Sequence, residues 1–111
     1  MNITSEKHLA ATVITLCGEL TADDADKFKR NIQEYSNNLE SDIILDCTDL
    51  GLIDSVGLES LLWFSDELGR NGYKLKFASV SATVQRVFEL TRLERVFNTH
   101  ASIEEAARSL V

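Results

Sequence analysis

The chain has 111 residues, 44% hydrophobic and 26% charged, with a formal net charge of −7 and no proline. That size and composition fit one domain, residues 1–111, with a real core, and they exclude a disordered chain. The acidic balance argues against a general nucleic-acid binder, which needs clustered Lys and Arg to neutralise phosphates; the densest basic group, Lys27, Lys29 and Arg30, is offset by Asp23, Asp24 and Asp26 and reads as a solvated helix face.

A short strand near Asn2 to Ser5 is expected to turn around Lys7 and pair with the alternating run Ala11 to Cys17. Gly18-Glu19-Leu20 ends that strand. Thr21 reads as a helix N-cap with Asp24 as its partner. Ala25, Phe28, Ile32 and Tyr35 then fall at helical spacing, which predicts an amphipathic helix over Ala22 to Leu39 that frays at Asn37-Asn38. Ile43-Ile44-Leu45 is a continuous apolar strand of the kind buried between layers. A loop through Asp49 and Gly51 leads to a second helix carrying Val56, Leu61, Leu62 and Leu68, stopped by Gly69 and Gly72. Adjacent helical positions point about 100° apart, so Trp63 and Phe64 cannot both face the core equally. Lys74 to Ala78 alternates as a strand. Ser81 caps a helix with Val84, Val87, Phe88 and Leu90, Val96-Phe97 reads as a last short strand, and Ser102-Ile103-Glu104-Glu105 is a capping box opening a helix to Leu110.

Strands alternating with helices imply an α/β fold: a mixed, mostly parallel sheet of four to five strands against about four helices, joined by right-handed crossovers. No apolar run approaches the roughly 20 residues of a membrane span, and Met1 to Lys7 lacks the apolar core of a signal peptide. No membrane insertion is expected, and cytoplasmic localisation is. Cys17 and Cys47 each lie in an apolar strand-like run, so two buried thiols are expected, with a disulfide open if their strands are neighbours. They form no ligand-spaced pair, and His8 and His100 are distant in sequence, so no metal site is expected.

The candidate site is the run Ile53-Asp54-Ser55-Val56-Gly57-Leu58, where strand and loop give way to a helix. Ser55 has two readings. Its hydroxyl is a helix N-cap, or it is an exposed acceptor of a phosphoryl group. A nucleophilic serine would need a base and an orienting group, and nothing places either histidine beside it; the G-x-S-x-G elbow is also absent. No enzyme activity is expected. Asp46, Asp49 and Asp54 read as turn-forming, solvated acids, with an acidic pocket for metal or acid–base chemistry as the alternative. The five glycines fit no phosphate-cradling loop, so no cofactor is expected.

The chain resembles the STAS domain. The resemblance rests on Gly18-Glu19-Leu20 after the first long strand, Ile44-Leu45-Asp46 in the next, and Ile53-Asp54-Ser55-Val56-Gly57-Leu58 at the helix start. Gly72-Tyr73-Lys74-Leu75, Val84-Gln85-Arg86-Val87-Phe88-Glu89-Leu90-Thr91 and Ser102-Ile103-Glu104-Glu105-Ala106 are similar too. Stand-alone STAS proteins of this size are typically bacterial anti-sigma factor antagonists of the SpoIIAA and RsbV kind. The resemblance implies a partner switch that regulates transcription. The unphosphorylated protein binds an anti-sigma factor that is also a serine kinase of the GHKL ATPase type. Phosphorylation of Ser55 releases it, and a PP2C-type phosphatase resets it. Asp54, Ser55, Val56, Gly57 and Leu58 are the implied partner-binding residues. Where the family often has a second Ser or Thr after the acceptor, this chain has Val56, leaving one acceptor in the motif. Two alternatives stay open: a STAS interaction module that is never phosphorylated, as in lipid-transport complexes, and a switch controlling a non-sigma output.

Overall fold

The computed structural model describes residues 1–37 and 40–110. Its elements are β1 (Asn2–His8), β2 (Ala11–Leu20), α1 (Ala22–Asn37), β3 (Asp42–Ile53), α2 (Ser55–Arg70), β4 (Leu75–Ala78), α3 (Ala82–Leu90), a 3-10 turn (Leu93–Arg95), β5 (Asn98–His100) and α4 (Ile103–Arg108). The expected α/β fold is present, with five strands and four α-helices among the described residues. The sheet runs β1-β2-β3-β4-β5. β1 is antiparallel to β2 and the other pairs are parallel.

That strand order fixes where the helices go. Each crossover steps one strand in the same direction, and right-handed connections then place α1, α2 and α3 on one face. Ile14, Leu16, Ile43, Leu45 and Phe77 turn toward them and join Phe28, Ile32, Leu61, Phe64, Val84 and Phe88 in the main core. Alternate strand positions point the other way. There Ala11, Val13, Ile44 and Ala78 meet Ala106 and Ala107 of α4 in a second, smaller core. Phe77, Phe88 and Phe97 pack edge to face or tilted, with centroids 4.7–5.5 Å apart. Phe64 is buried while Trp63 is half-buried, with Lys29 Nζ 5.6 Å from its ring centroid.

Several boundaries differ from the sequence-based expectation, each for a physical reason. β1 runs on to His8, and the hairpin turns at Leu9-Ala10, where Leu9 takes φ +56. β2 ends at Leu20, within the expected Gly18-Glu19-Leu20; a register shift carries it past Gly18, which sits at φ +118, a conformation glycine supplies. β3 likewise extends through the expected loop to Ile53. Beyond Asp46 it has lost β4 as a neighbour and pairs with β2 alone, so Thr48, Asp49, Gly51 and Leu52 are exposed and read as loop. The last strand is Asn98–His100, not Val96-Phe97. Phe97 is drawn into the aromatic cluster, its N–H bonding Leu93 O at 2.7 Å, and Val96 is 51% exposed.

Helix ends follow their caps. Ser81 Oγ accepts from Val84 N–H, and Ser102 Oγ from Glu105 N–H, with Glu105 Oε2 reaching back to Ala101 N–H. α4 stops at Arg108, two residues short of the expected Leu110. α1 is described to Asn37; the expected fraying at Asn38 and the end at Leu39 lie outside the described residues.

The expectation of two buried thiols fails at Cys17, which is exposed. It alternates with the core residue Leu16 and so faces outward. Cys47 is buried, its thiol pushed up to about 12 by burial, with the nearby Asp46 charge adding to the effect. The strands are neighbours, yet both cysteines are free.

Candidate functional site

The C-terminal ends of β2 and β3 and the N-terminal ends of α1 and α2 meet at one corner. Leu20 pairs with Ile53, and Asp54 N–H bonds Leu20 O at 3.3 Å. Asp54 then has extended backbone, φ −108 and ψ −175, and caps α2. Its Oδ1 accepts from Gly57 N–H at 2.9 Å, and its carbonyl accepts from Leu58 N–H at 2.9 Å. Its Oδ2 accepts from Ala22 N–H, also at 2.9 Å, across the corner at the first residue of α1. One carboxylate therefore serves two helix starts, each of which has N–H groups with no intrahelical partner. The Gly57 bond, then the Ala22 bond, hold the Asp54 carboxyl below its ordinary range. Thr21 contributes through its carbonyl, which accepts from Asp24 N–H at 3.0 Å, while the side-chain acceptor at the first N–H of α1 is Asp54.

This arrangement removes the N-cap reading of Ser55. The N-cap is Asp54, one residue earlier, and Ser55 is the first residue of α2. Its side chain is exposed, and among the described residues its hydroxyl has no hydrogen-bond partner. Val56 is 38% exposed beside it. Gly57 and Leu58 are buried. A Cβ on Gly57 would lie 2.1 Å from Leu20 O and 2.9 Å from Ile53 Cγ1, so only glycine lets α2 approach β2 this closely. Of the five motif residues, then, Ser55 and Val56 present surface, Asp54 is half-buried and ties the corner together, and Gly57 and Leu58 support it from below.

Leu52 was not anticipated. It is 43% exposed and pairs with Glu19, which puts an apolar side chain on the same corner as Val56. Its signal was the sequence Gly51-Leu52-Ile53, in which alternation buries Ile53 and turns Leu52 out once the segment is read as strand. Glu19 is level with Leu52, Glu59 is exposed one helical turn beyond Ser55, and Asp23 is exposed next to Ala22 at the start of α1.

The other candidates do not join this site. Asp46 Oδ1 is engaged by the N–H and hydroxyl of its neighbour Thr48, at 3.2 and 2.7 Å. Among the described residues no three His, Cys, Asp or Glu side chains gather as a metal site. His8 pairs with Ala11 at the opposite end of β2 from Leu20. His100 is level with Ala78 and, through it, with Asp46. From Asp46, β3 rises a further seven residues to Ile53, about 20 Å at strand spacing. Lys27, Lys29 and Arg30 are exposed on α1. No helix among the described residues is long and apolar enough to cross a membrane.

The sequence model of the STAS domain matches residues 2–106. The chain belongs to the STAS domain family. Among solved structures, this STAS domain is similar to the Thermotoga maritima protein TM1081, with 24% identity, 97% of this chain and 93% of that one covered, and a TM-score of 0.90. It is also similar to the anti-sigma factor antagonist SpoIIAA in its unphosphorylated form, with 22% identity, coverage of 97% and 96%, and a TM-score of 0.71. The phosphorylated form of that Bacillus protein matches at 23% identity, 99% and 100% coverage, and a TM-score of 0.73. The fold recurs in the murine anion transporter Slc26a9, at 16% identity and a TM-score of 0.80, where it covers 91% of this chain but 18% of the transporter. At these identities the structural likeness is one of fold.

Proposed function

We propose that this STAS domain is the antagonist in a bacterial partner switch. Unphosphorylated, it binds an anti-sigma factor that is also a GHKL-type serine kinase, and phosphorylation of Ser55 ends that binding. The observation that carries this reading is the Ser55 hydroxyl, exposed at the start of α2 and uncommitted because Asp54 already caps the helix. The chain is then a substrate and a binding module. Ser55 Oγ forms a bond to the γ-phosphorus of ATP as the bond from that phosphorus to the bridging oxygen breaks; ADP leaves, and the hydroxyl proton passes to a base of the kinase. A PP2C-type phosphatase hydrolyses the ester and restores the binding form.

Leu52 and Val56 supply the apolar centre of the docking corner, and Glu19, Asp23 and Glu59 its rim. The complementary partner presents an apolar pocket bordered by basic or dipole-positive groups. A phosphate on Ser55 adds about −1.5 to −2 charges at the middle of that contact. It acts through bulk and desolvation as well as repulsion, since exposed charges are screened within about 8 Å at physiological salt.

The likeness to Slc26a9 favours a second reading, a STAS interaction module that receives no phosphate. The two separate in one experiment. The chain is incubated with ATP and a purified GHKL-type serine kinase from its own organism, then digested and mapped. Phosphate on Ser55, absent in Ser55→Ala, supports the switch. An unmodified Ser55, together with unchanged kinase binding by Ser55→Asp, supports the constitutive module.

A further inference from the structure

We propose that Asp54 transmits the modification state of Ser55 to the start of α1, so that one phosphate remodels two helix ends. The inference rests on the reading of Ser55 as a phosphoacceptor. It starts from the bidentate use of the Asp54 carboxylate: Oδ1 takes Gly57 N–H in α2 and Oδ2 takes Ala22 N–H in α1, both at 2.9 Å.

The two helix starts are unequal. α1 has Asp23 and Asp24 in its first turn, whereas α2 has no acidic residue there. Within its own cap and first turn, α2 therefore has a single carboxylate, that of Asp54. A phosphate on the next residue is a stronger anion with three acceptor oxygens, and helix N-termini bind phosphate. Two anions one residue apart then compete for one small set of N–H groups, and their like charges repel. As Asp54 loses Gly57, it loses the orientation that brought Oδ2 to Ala22. Asp54 Oδ2 is the side-chain acceptor of the Ala22 N–H in the described structure, and at this exposed corner the released N–H turns to water. Ala22 and Asp23 are exposed on the same corner, so a partner docked there meets the change directly.

The same geometry explains why the position holds an aspartate. Asparagine, serine and threonine are good N-caps, but each offers one side-chain acceptor where the corner needs two. The Asp54→Asn change would turn an amide NH₂ toward one of the two N–H groups.

Amide hydrogen exchange of Ala22 and Gly57 reads both bonds, because amides this early in a helix have no backbone acceptor of their own. The full chain is prepared with phosphoserine installed directly at position 55, so that no kinase is involved and a failure of the kinase reading cannot be confused with a failure of this one. It is measured beside the unmodified chain, Asp54→Ala, and Asp54→Ala carrying phosphoserine at position 55, with amides of Ile44 and Phe64 as controls of global folding. Phosphoserine is expected to speed Ala22 exchange about tenfold or more, as loss of a charge-assisted bond implies. Asp54→Ala, which removes both acceptors, speeds it similarly without phosphate, and phosphate adds no further change in that background. Unchanged Ala22 exchange on phosphorylation, or an equal phosphate effect with and without Asp54, would overturn the proposal.

Discussion

Three helix starts in this molecule carry a serine, and they use it differently. At α3 and α4 the serine is the cap: Ser81 and Ser102 each spend their hydroxyl on a backbone N–H of the first turn. At α2 an aspartate takes that role and the serine follows it by one residue, exposed and unbonded among the described residues. The same side chain, moved one position, passes from structural to available. Asp54 secures the helix and more, since its second oxygen also holds Ala22. The corner is tied together beneath a hydroxyl that nothing in the fold requires.

Substitutions at the three starts test that contrast, and the largest effect belongs to the support beneath it. Gly57→Ala drives a methyl group into the Leu20 carbonyl, 2.1 Å from where the Cβ must sit. We expect a loss of about 3 kcal/mol or more in denaturant unfolding. Gly69→Ala, in the same helix with nothing within 4 Å of its Cβ, should instead be neutral or stabilising. Equal losses at the two glycines would mean that close approach of α2 to β2 is not what Gly57 provides.

Asp54→Asn comes next, with a signature in pH. The hydrogen bonds to Gly57 and Ala22 depress the folded carboxyl, so folding favours its ionised form. That contribution is present in full above the unfolded value near 3.8 and is lost as pH falls through the lower folded value. The stability gap between wild type and Asp54→Asn should be flat around neutral pH and close in acid. A gap that persists unchanged in strong acid would show that the ionised cap is not its source. Smaller again is Ser81→Ala, at about 1 kcal/mol for a lost N-cap. Ser55→Ala should fall within about 0.5 kcal/mol of wild type, as for an unpartnered surface residue. A loss at Ser55 matching that at Ser81 would erase the distinction between the two serines.

The sequence disclosed this corner unevenly. The strand–helix alternation, the caps at Ser81 and Ser102 and the motif around Ser55 were readable because each is local: a period or a spacing of three. What escaped was set by partners distant in sequence. The end of β3 reads as loop because its exposed Thr48, Asp49 and Gly51 lie beyond the reach of β4. Cys17 looks like core until the sheet shows which of its faces α4 leaves open. The second bond of Asp54 joins residues 32 apart in sequence, and no window along the chain contains both. The local rule also offered Ser55 as the cap, and the extended backbone of Asp54 and its reach to Gly57 move the cap one residue earlier.

The most direct measurement is the affinity of the proposed partner, a GHKL-type anti-sigma factor, for the chain with serine or phosphoserine at position 55, compared with phosphoserine placed at position 81 of the α3 cap. Modification of Ser55 should weaken binding about 100-fold, the scale of a buried contact turned repulsive, with the fold intact. Equal affinity for the serine and phosphoserine forms at position 55 would contradict the account.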